Sequence, residues 1–383
     1  MSRPVPARTV PTVHPVGSSV VPTVGVEEEF FLLHPDGAAA TVAPQVLETL
    51  AGDRYVHAEW MRFQVESASA VCVGLPDLAA ALVRERAALA AASLVHGARL
   101  VATGSPPLAQ PGADAVSSGA RYRQLVEAFP DISGAGVVCA CQVHVGVPSR
   151  DQGVAVLNRI RGRLPILLAL SGNSPYWRGR DTGWNSYRYV VQTAWPTAHV
   201  PPWCRDAAQY DVRLARHLTD GDALDVAGIY WFARLSARYP TVEIRVADAC
   251  LAVDDAVLLA GLCRALVGTA LAEGAAGRPC PVVPDRLLSA SLSSAARFGL
   301  GATLADPGTG RPAAARALLD RMVADIEPAL DATGDGRLIR ELLGRRLRRG
   351  SGAAHQRELR RSRGVEAFVA ALADATVAPQ GGA

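Results

Sequence analysis

The residues best suited to chemistry near the start of the chain are glutamates in the run GVEEEFFLL, from Gly25 to Leu33. Alternate residues of a β-strand share a face, so a strand here places Glu27 and Glu29 side by side. It turns Glu28 to the opposite, apolar face, where the sequence shows no partner for it. Two carboxylates about 7 Å apart on one face repel each other unless a cation lies between them. The run therefore predicts either a solvated strand face or a cation site.

Two later runs add further ligand types. In TVEIRVAD, alternation places Glu243 and Arg245 on one polar face of a half-buried strand, which by itself can be an ion pair. In VVCACQVHVGV, from Val137 to Val147, it places Gln142 and His144 on the face opposite to the cysteines. This parity disfavours a zinc site made of those cysteines and His144, and it predicts that the cysteines are small core residues.

Glu59 and Glu66 flank a second strand-like stretch, from about Trp60 to Ser69. With them the chain offers five acids and one histidine on strands that could be neighbours in one sheet. Such a carboxylate-rich site with one imidazole suits a hard cation, Mg²⁺ or Mn²⁺. A regular strand would place Glu59 and Glu66 on opposite faces, so either a bulge intervenes or one of them is not a ligand.

The composition excludes several mechanisms. All 39 basic residues counted as Lys or Arg in this chain of 383 residues are arginine. Without lysine there is no P-loop or kinase lysine to reach nucleotide phosphates and no Schiff base from a side-chain amine. Any nucleotide that the protein handles must therefore be balanced by arginine and metal ions. The net charge of +3 and the hydrophobic share of 49% are those of an ordinary globular protein.

Cysteine usage and the N-terminus predict the compartment. The seven cysteines have no paired spacing, which indicates a reducing environment. Residues 1–24 contain five prolines and no continuous apolar segment, so we expect a flexible lead-in and not a signal peptide. Uninterrupted apolar runs such as Ala256 to Cys263 are much shorter than the roughly 20 residues that span a bilayer. We therefore expect a cytoplasmic protein that does not associate with membranes.

The elements that must position these side chains are strands and helices of unequal length in irregular order, which favours an α+β fold over a doubly wound sheet. Helical patterns cover Leu78 to Arg99, Asp151 to Leu170 and Asp254 to Ala272, and most of the chain after Pro284. The segment from Ser171 to Pro202 is rich in Trp, Tyr, Pro and Arg without periodicity. It is predicted to be a substrate-covering loop, with peripheral packing as the alternative.

Six segments in order, spread over most of the chain, resemble the glutamate–cysteine ligase type 2 family of bacterial carboxylate–amine ligases. They are GVEEEFFLL, HAEWMRFQVES, QVHVGVP, NSYR, TVEIR and GSGAAHQR. That family is similar to the glutamine synthetase superfamily. The resemblance implies an α+β fold whose curved, mainly antiparallel sheet forms a funnel-shaped active site, with helices packed on its outer face. It also implies one catalytic domain over residues 25–378, followed by a tail at residues 379–383.

Taken position by position, the resemblance implies two groups of metal ligands. The ligands of the metal nearer the amino-acid substrate would be Glu29, Glu59 and Glu66. The ligands of the metal that bridges the ATP phosphates would be Glu27, His144 and Glu243. Gln142 stands where relatives often carry another histidine.

The resemblance also implies roles for four other residues. Arg245 would be the catalytic residue that contacts the transferred γ-phosphate, for which its bidentate fork is suited. Gln356 and Arg357 match a late pair of the family near the site and would bind the nucleotide. Arg188, in the NSYR segment, would hold a substrate carboxylate.

The activity implied by the resemblance is an ATP- and Mg²⁺-dependent (or Mn²⁺-dependent) ligase. ATP would phosphorylate a carboxylate, and an amine would attack the acyl phosphate to give an amide, ADP and phosphate. The substrates implied are L-glutamate and L-cysteine. Three alternatives stay open: a ligase of specialised metabolism with another acid and amine, a metal-dependent amide hydrolase, and a binding protein without catalysis. The presence of all six plausible metal ligands and of Arg245 disfavours a binding protein without catalysis.

The partners expected from the sequence are therefore small molecules, a carboxylate and an amine. Eight arginines lie between Arg345 and Arg363, a run that can indicate nucleic-acid binding. Few aromatic residues are interleaved and nearby acids balance the charge, so we expect a solvated helical face and no nucleic acid. Since relatives are commonly homo-oligomers, we expect a homo-oligomer here.

Overall fold

The computed structural model describes residues 21–108, 115–133 and 137–378, so the predicted tail and most of the predicted lead-in lie outside the described residues. The strands are β1 Val24–Leu33, β2 Val56–Ala58, β3 Gln64–Ala68, β4 Arg99–Val101, β5 Ala140–Gly146, β6 Tyr176–Trp177, β7 Arg180–Asp181, β8 Ala233–Leu235, β9 Thr241–Asp248, β10 Thr303–Ala305 and β11 Pro312–Ala314.

The helices alternate irregularly with these strands. They are α1 Ala43–Thr49, α2 Leu75–Val95, α3 Ala120–Ala128, α4 Pro130–Ser133, α5 Arg150–Ile160, α6 Leu164–Ser171, α7 Tyr187–Gln192, α8 Ala207–Thr219, α9 Val253–Ala275, α10 Asp285–Phe298, α11 Ala315–Thr333, α12 Gly336–Arg349, α13 Gly352–Ser362 and α14 Val365–Val377. Short 3-10 turns lie at Arg161–Arg163, Val226–Gly228 and Gly299–Gly301.

One seven-stranded sheet organises the protein. Its strands run in the order β2-β3-β1-β5-β9-β8, with β4 beside β1, and every pairing is antiparallel. Alternation in the central strands turns Val26, Val143 and Ile244 to the face that the helical core covers. On that face α9 packs against α2, α5, α11 and α12. The predicted α+β fold, with an antiparallel sheet and helices on its outer face, is confirmed.

The helix α9 is the centre of this core. By length and composition it could cross a membrane, which the shorter uninterrupted apolar run in the sequence did not suggest. Of its most apolar window, 72% is buried inside the fold. Its Arg264 pairs with Asp335 and donates to the carbonyl of Val73. This burial is typical of the core helix of a globular protein.

Three predicted segments differ from the structure. The stretch from Trp60 to Ser69 is not one strand, because β2 ends before it and only β3 lies within it. The helix predicted from Asp151 to Leu170 is interrupted by a 3-10 turn between α5 and α6. The segment from Ser171 to Pro202, predicted to be a substrate-covering loop, is not one irregular loop. That segment contains β6, β7 and α7, and Tyr176 and Trp195 within it are buried in the core.

Glu28, for which the sequence shows no partner, pairs with Arg86 of α2. Both are buried, and Arg86 donates from Nε to Oε2 at 3.0 Å and from Nη2 to Oε1 at 2.5 Å. The same guanidinium donates to the carbonyls of Cys250, Leu251 and Thr376. This pair therefore ties α2, the residues after β9 and α14 to the sheet.

We predict that Arg86→Met destabilises the protein by about 3–5 kcal/mol, because it leaves a buried carboxylate without its partner. Urea unfolding measures the loss. The double variant Glu28→Leu, Arg86→Met is the control and should be less destabilised than Arg86→Met alone, because the lone charge is gone. A loss under about 1 kcal/mol in Arg86→Met, the scale of an exposed pair, would contradict this account.

Candidate metal centre

Neighbouring strands bring the predicted metal ligands to one face of the sheet. The β1–β3 register places Glu29 opposite Glu66, and the β5–β9 register places His144 opposite Glu243. Glu27 of β1 lies opposite Gln142, two residues before His144 on β5. Side chains that are far apart in the sequence thus meet in two separate groups.

The first, which we call the histidine group, consists of Glu27, His144 and Glu243, whose ligand atoms all lie within 4.8 Å of one another. Nδ1 of His144 lies 3.0 Å from the hydroxyl of Thr241. Its Nε2 lies 3.4 Å from Oε1 of Glu27, and it is buried without a hydrogen-bond partner among the described residues. A ring held at one nitrogen, with the other unpaired between carboxylates, fits a metal ligand.

Arginine compensates the charge of the histidine group. Arg234 donates from Nε to Glu243 at 2.9 Å, and Nη1 of Arg245 donates to the same carboxylate. Burial by itself would raise the pKa of Glu243, but the charges of Arg245 and Arg234 outweigh it and hold that pKa below its ordinary value. Burial likewise opposes the charged form of Glu27, yet the adjoining imidazole of His144 lowers its pKa. The group is therefore stable in its charged form.

The second, which we call the acid group, consists of Glu29, Glu59 and Glu66, and its ligand atoms also lie within 4.8 Å of one another. Glu59 follows β2, where its carbonyl accepts a hydrogen bond of 2.6 Å from Ser117, and Glu66 lies within β3. The chain turns between the two strands, so the spacing of seven residues brings both side chains to one place without a bulge in a single strand.

Electrostatics in the acid group are the reverse of those in the histidine group. Burial, together with the neighbouring charge of Glu59, raises the pKa of Glu29 to about 7. Burial also raises the pKa of Glu59, and burial and the adjoining acids raise that of Glu66 well above its ordinary value. Three such carboxylates favour either protons or a bound divalent cation.

These raised pKa values predict how stability changes with pH when a chelator removes divalent ions. The folded state binds these protons more tightly than the unfolded state, so stability falls as pH rises from the unfolded pKa through the folded one. We expect the melting temperature of the chelated protein to fall between about pH 5 and about pH 8, since the pKa of Glu29 is about 7.

Mn²⁺ at the higher pH should restore that melting temperature, because it replaces the protons. Scanning calorimetry with and without Mn²⁺ measures both effects, and Glu66→Gln is the control that should flatten the pH profile. A chelated protein whose melting temperature does not change over this range would contradict the assignment.

Gln142 connects the two groups. Its Nε2 donates to Oε1 of Glu29 at 2.7 Å, and its Oε1 accepts from Nη1 of Arg245. The other oxygen of Glu29 accepts from the backbone N–H of Ala140 at 2.7 Å. The hydrogen bonds of Gln142 therefore fix Glu29 and Arg245 relative to each other.

Sequence reasoning missed Arg234, which faces Glu243 in the β8–β9 register. It also donates to the carbonyls of Val226 and Ile229, at 3.0 Å each. The signal that could have identified it is an arginine inside the otherwise apolar run YWFARL.

The remaining predicted site residues lie outside the two groups. Gln356 is buried and its Nε2 donates to Asn173, while Arg357 pairs with Asp181 at 2.8 Å. Arg188 lies on α7, not on a loop, and only 2% of it is exposed. Its guanidinium donates to the carbonyls of Arg245 at 3.0 Å and Val246 at 3.2 Å.

A solved structure shares this fold over most of its length. The chain is similar to a glutamate–cysteine ligase of Francisella tularensis, crystallised in complex with AMP. The TM-score is 0.74 at 13% identity, and the match covers 94% of this chain and 90% of that one. At that identity the likeness shows the fold alone.

Sequence comparison then shows the family. The profile of glutamate–cysteine ligase family 2 matches residues 23–371. A Saccharopolyspora erythraea protein provisionally named glutamate–cysteine ligase 2-2 is 40% identical over 363 residues, 92% of each chain. A Nocardia farcinica protein provisionally named glutamate–cysteine ligase 2-1 is 40% identical over 359 residues, 93% of this chain and 94% of that one. The chain belongs to glutamate–cysteine ligase family 2, and the predicted class of ATP-dependent ligase is confirmed.

Proposed function

We propose that this protein joins the γ-carboxylate of L-glutamate to the amine of L-cysteine, converting ATP to ADP and phosphate and forming γ-glutamylcysteine. The observation that carries the proposal is the placement of Arg245. It contacts Glu243 of the histidine group, and through Gln142 it is linked to Glu29 of the acid group. A phosphoryl group that moves between nucleotide and acid substrate would meet this guanidinium.

In this proposal the acid group and the histidine group each hold Mg²⁺ or Mn²⁺. Such ions neutralise phosphate charge when bound. Arg245 stabilises the additional charge on the transferred phosphoryl group through its fork. Arg234 pairs with Glu243 at 2.9 Å. The family resemblance supports Gln356 and Arg357 as the residues that bind the nucleotide. Arginine thus takes the place of the lysine that the chain lacks.

The chemistry follows in two steps. A carboxylate oxygen of the acid attacks the γ-phosphorus of ATP, the bond to the β-phosphate oxygen breaks, and acyl phosphate and ADP form. The amine then attacks the acyl carbon, the bond from carbon to the phosphate oxygen breaks, and the amine loses a proton. The products are the amide and inorganic phosphate.

The wider setting is part of the same proposal. We propose a cytoplasmic enzyme, supported by seven free cysteines, six of them buried. In the arginine-rich run, Arg345 and Arg349 pair with Asp254 and Asp255 of α9, which supports a packing role and small-molecule substrates. We also propose a homo-oligomer, and a monomer by light scattering at micromolar concentration would contradict it.

The experiment that tests the proposed reaction measures ADP and phosphate release from the purified protein with ATP and Mg²⁺. Glutamate is added first, then a panel of amines that includes cysteine, and mass spectrometry identifies any amide. We expect release that requires both acid and amine, with γ-glutamylcysteine as product. Release with another acid and amine would keep the ligase and replace the substrates. Amide cleavage without ATP would overturn the ligase in favour of a hydrolase.

A further inference from the structure

The strand β9, which carries Arg245, is irregular at Arg245 and Val246. In the β5–β9 register, Val143 lies opposite Ile244 and Cys141 lies opposite Ala247. Three steps along β9 therefore face two steps along β5, so β9 contains one extra residue opposite Gln142. A bulge of this kind interrupts the ladder and changes the direction of the side chains beside it.

Arg188 satisfies the carbonyls of the bulge. Its Nη2 donates to the carbonyl of Arg245 at 3.0 Å and its Nη1 to that of Val246 at 3.2 Å. A guanidinium presents its donors in a fixed planar fork that suits two successive carbonyls, whereas an ammonium is a compact charge on a flexible stem and holds them less firmly. Two successive peptide groups, Arg245–Val246 and Val246–Ala247, are thus held by one side chain from another element.

A buried carboxylate, that of Asp248, holds the start of α7 and so positions Arg188. Asp248, which is fully buried, accepts hydrogen bonds of 2.6 Å from the hydroxyls of Ser174 and Ser186. Ser174 in turn accepts from the backbone N–H of Arg188 at 3.0 Å, and Ser186 is the N-cap of α7. Asp248 therefore connects the end of β9 to the start of the helix from which Arg188 returns to the same strand.

The side chain of Arg245 is held separately, by Gln142 and Glu243. Its backbone is held by Arg188 and by the hydrogen bond of its own N–H to the carbonyl of Phe232 at 2.9 Å. Among the described residues, both hydrogen bonds that the guanidinium of Arg188 donates are to the strand that positions Arg245, and Arg188 is 2% exposed. These two contacts act on the strand, while the buried Nε has no hydrogen-bond partner among the described residues.

We propose that Arg188 is a positioning residue: it fixes the β9 bulge and so directs the guanidinium of Arg245 at the transferred phosphoryl group, instead of binding a substrate carboxylate. The inference rests on the proposed function only for what Arg245 does. The contact between Arg188 and the bulge can be tested without any substrate.

The test compares Arg188→Gln, Arg188→Lys and their combinations with Arg245→Ala, using Arg337→Gln, an arginine with 85% of its side chain exposed, as the matched control. We expect Arg188→Gln to lower kcat about 100-fold, as a small misplacement of a catalytic group does, and to leave KM for the acid substrate unchanged. The kcat of Arg188→Lys should lie between that of Arg188→Gln and that of the parent protein. Adding Arg188→Gln to Arg245→Ala should cost nothing further, because both changes remove the same contribution.

Hydrogen–deuterium exchange on the ligand-free protein provides the second readout. Arg188→Gln should raise exchange in the peptide that covers β9 and leave the peptide that covers β1 unchanged, and Arg188→Lys should do so more weakly. If Arg188→Gln does not fold, the lysine variant alone answers the question.

A raised KM for the acid substrate with unchanged kcat would overturn the proposal and make Arg188 a substrate-binding residue. Full additivity with Arg245→Ala, or unchanged exchange in β9, would overturn it as well. If the parent protein turns over no ATP, the proposed function fails, while the exchange result still decides whether Arg188 holds the bulge.

Discussion

Glu66→Gln will remove ATP turnover and at the same time stabilise the protein in the presence of a chelator. Turnover should fall about a thousandfold or more, because the acid group loses one of the charges that would hold a divalent cation near the acid substrate that accepts the phosphoryl group. Stability should rise because burial and the neighbouring acids raise the pKa of Glu66 well above its ordinary value, so the charged side chain destabilises the fold.

Two measurements check this prediction on one preparation. Steady-state ADP release gives the loss of turnover, and melting with a chelator at about pH 8 gives the gain in stability. Glu341→Gln, an exposed glutamate on α12, is the control and should change neither. Normal turnover in Glu66→Gln would remove the acid group from the site, and a lower melting temperature would show that Glu66 stabilises the fold.

Arg245→Ala should lower kcat by roughly 100- to 1,000-fold, the cost of losing one preorganised contact to developing charge. ATP binding should change far less, because the contact is expected mainly in the transition state. The protein should remain folded, since Arg234 still pairs with Glu243 at 2.9 Å after the substitution.

Calorimetric titration with ATP and single-turnover kinetics separate binding from catalysis for this variant. Arg150→Ala is a suitable control, because Arg150 is exposed and pairs with Asp211 at the surface. Equal losses in ATP affinity and in kcat would make Arg245 a binding residue and contradict its catalytic assignment.

Much of the site could be predicted from local pattern together with the family resemblance. Alternation placed Glu27 with Glu29, and Gln142 with His144, on common faces, and the structure places each pair that way. The prediction failed where a segment had no period to detect. From Ser171 to Pro202 the sequence indicated a loop, yet this stretch packs into the core through Tyr176 and Trp195.

Other features could not be predicted because their partners are distant in the sequence. Gln142 and Glu29 are 113 residues apart, and Arg245 and Gln142 are 103 apart. Arg86 and the bulge in β9 gave no signal that a pattern of two or three residues could detect. Charged residues inside apolar runs, such as Arg234, are the nearest to a usable signal.

The sequence by itself determined which side chains share a face along the regular strands β1 and β5, because alternation is a property of the local backbone. Because the chain has no lysine, the sequence also determined that arginine and metal ions must balance the charge of any bound phosphate. Only the tertiary structure decided that Glu29, Glu59 and Glu66 meet, that Glu28 pairs with Arg86, and that Arg188 holds the strand of Arg245. Strand neighbours and registers depend on packing along the whole chain, and no local pattern specifies them.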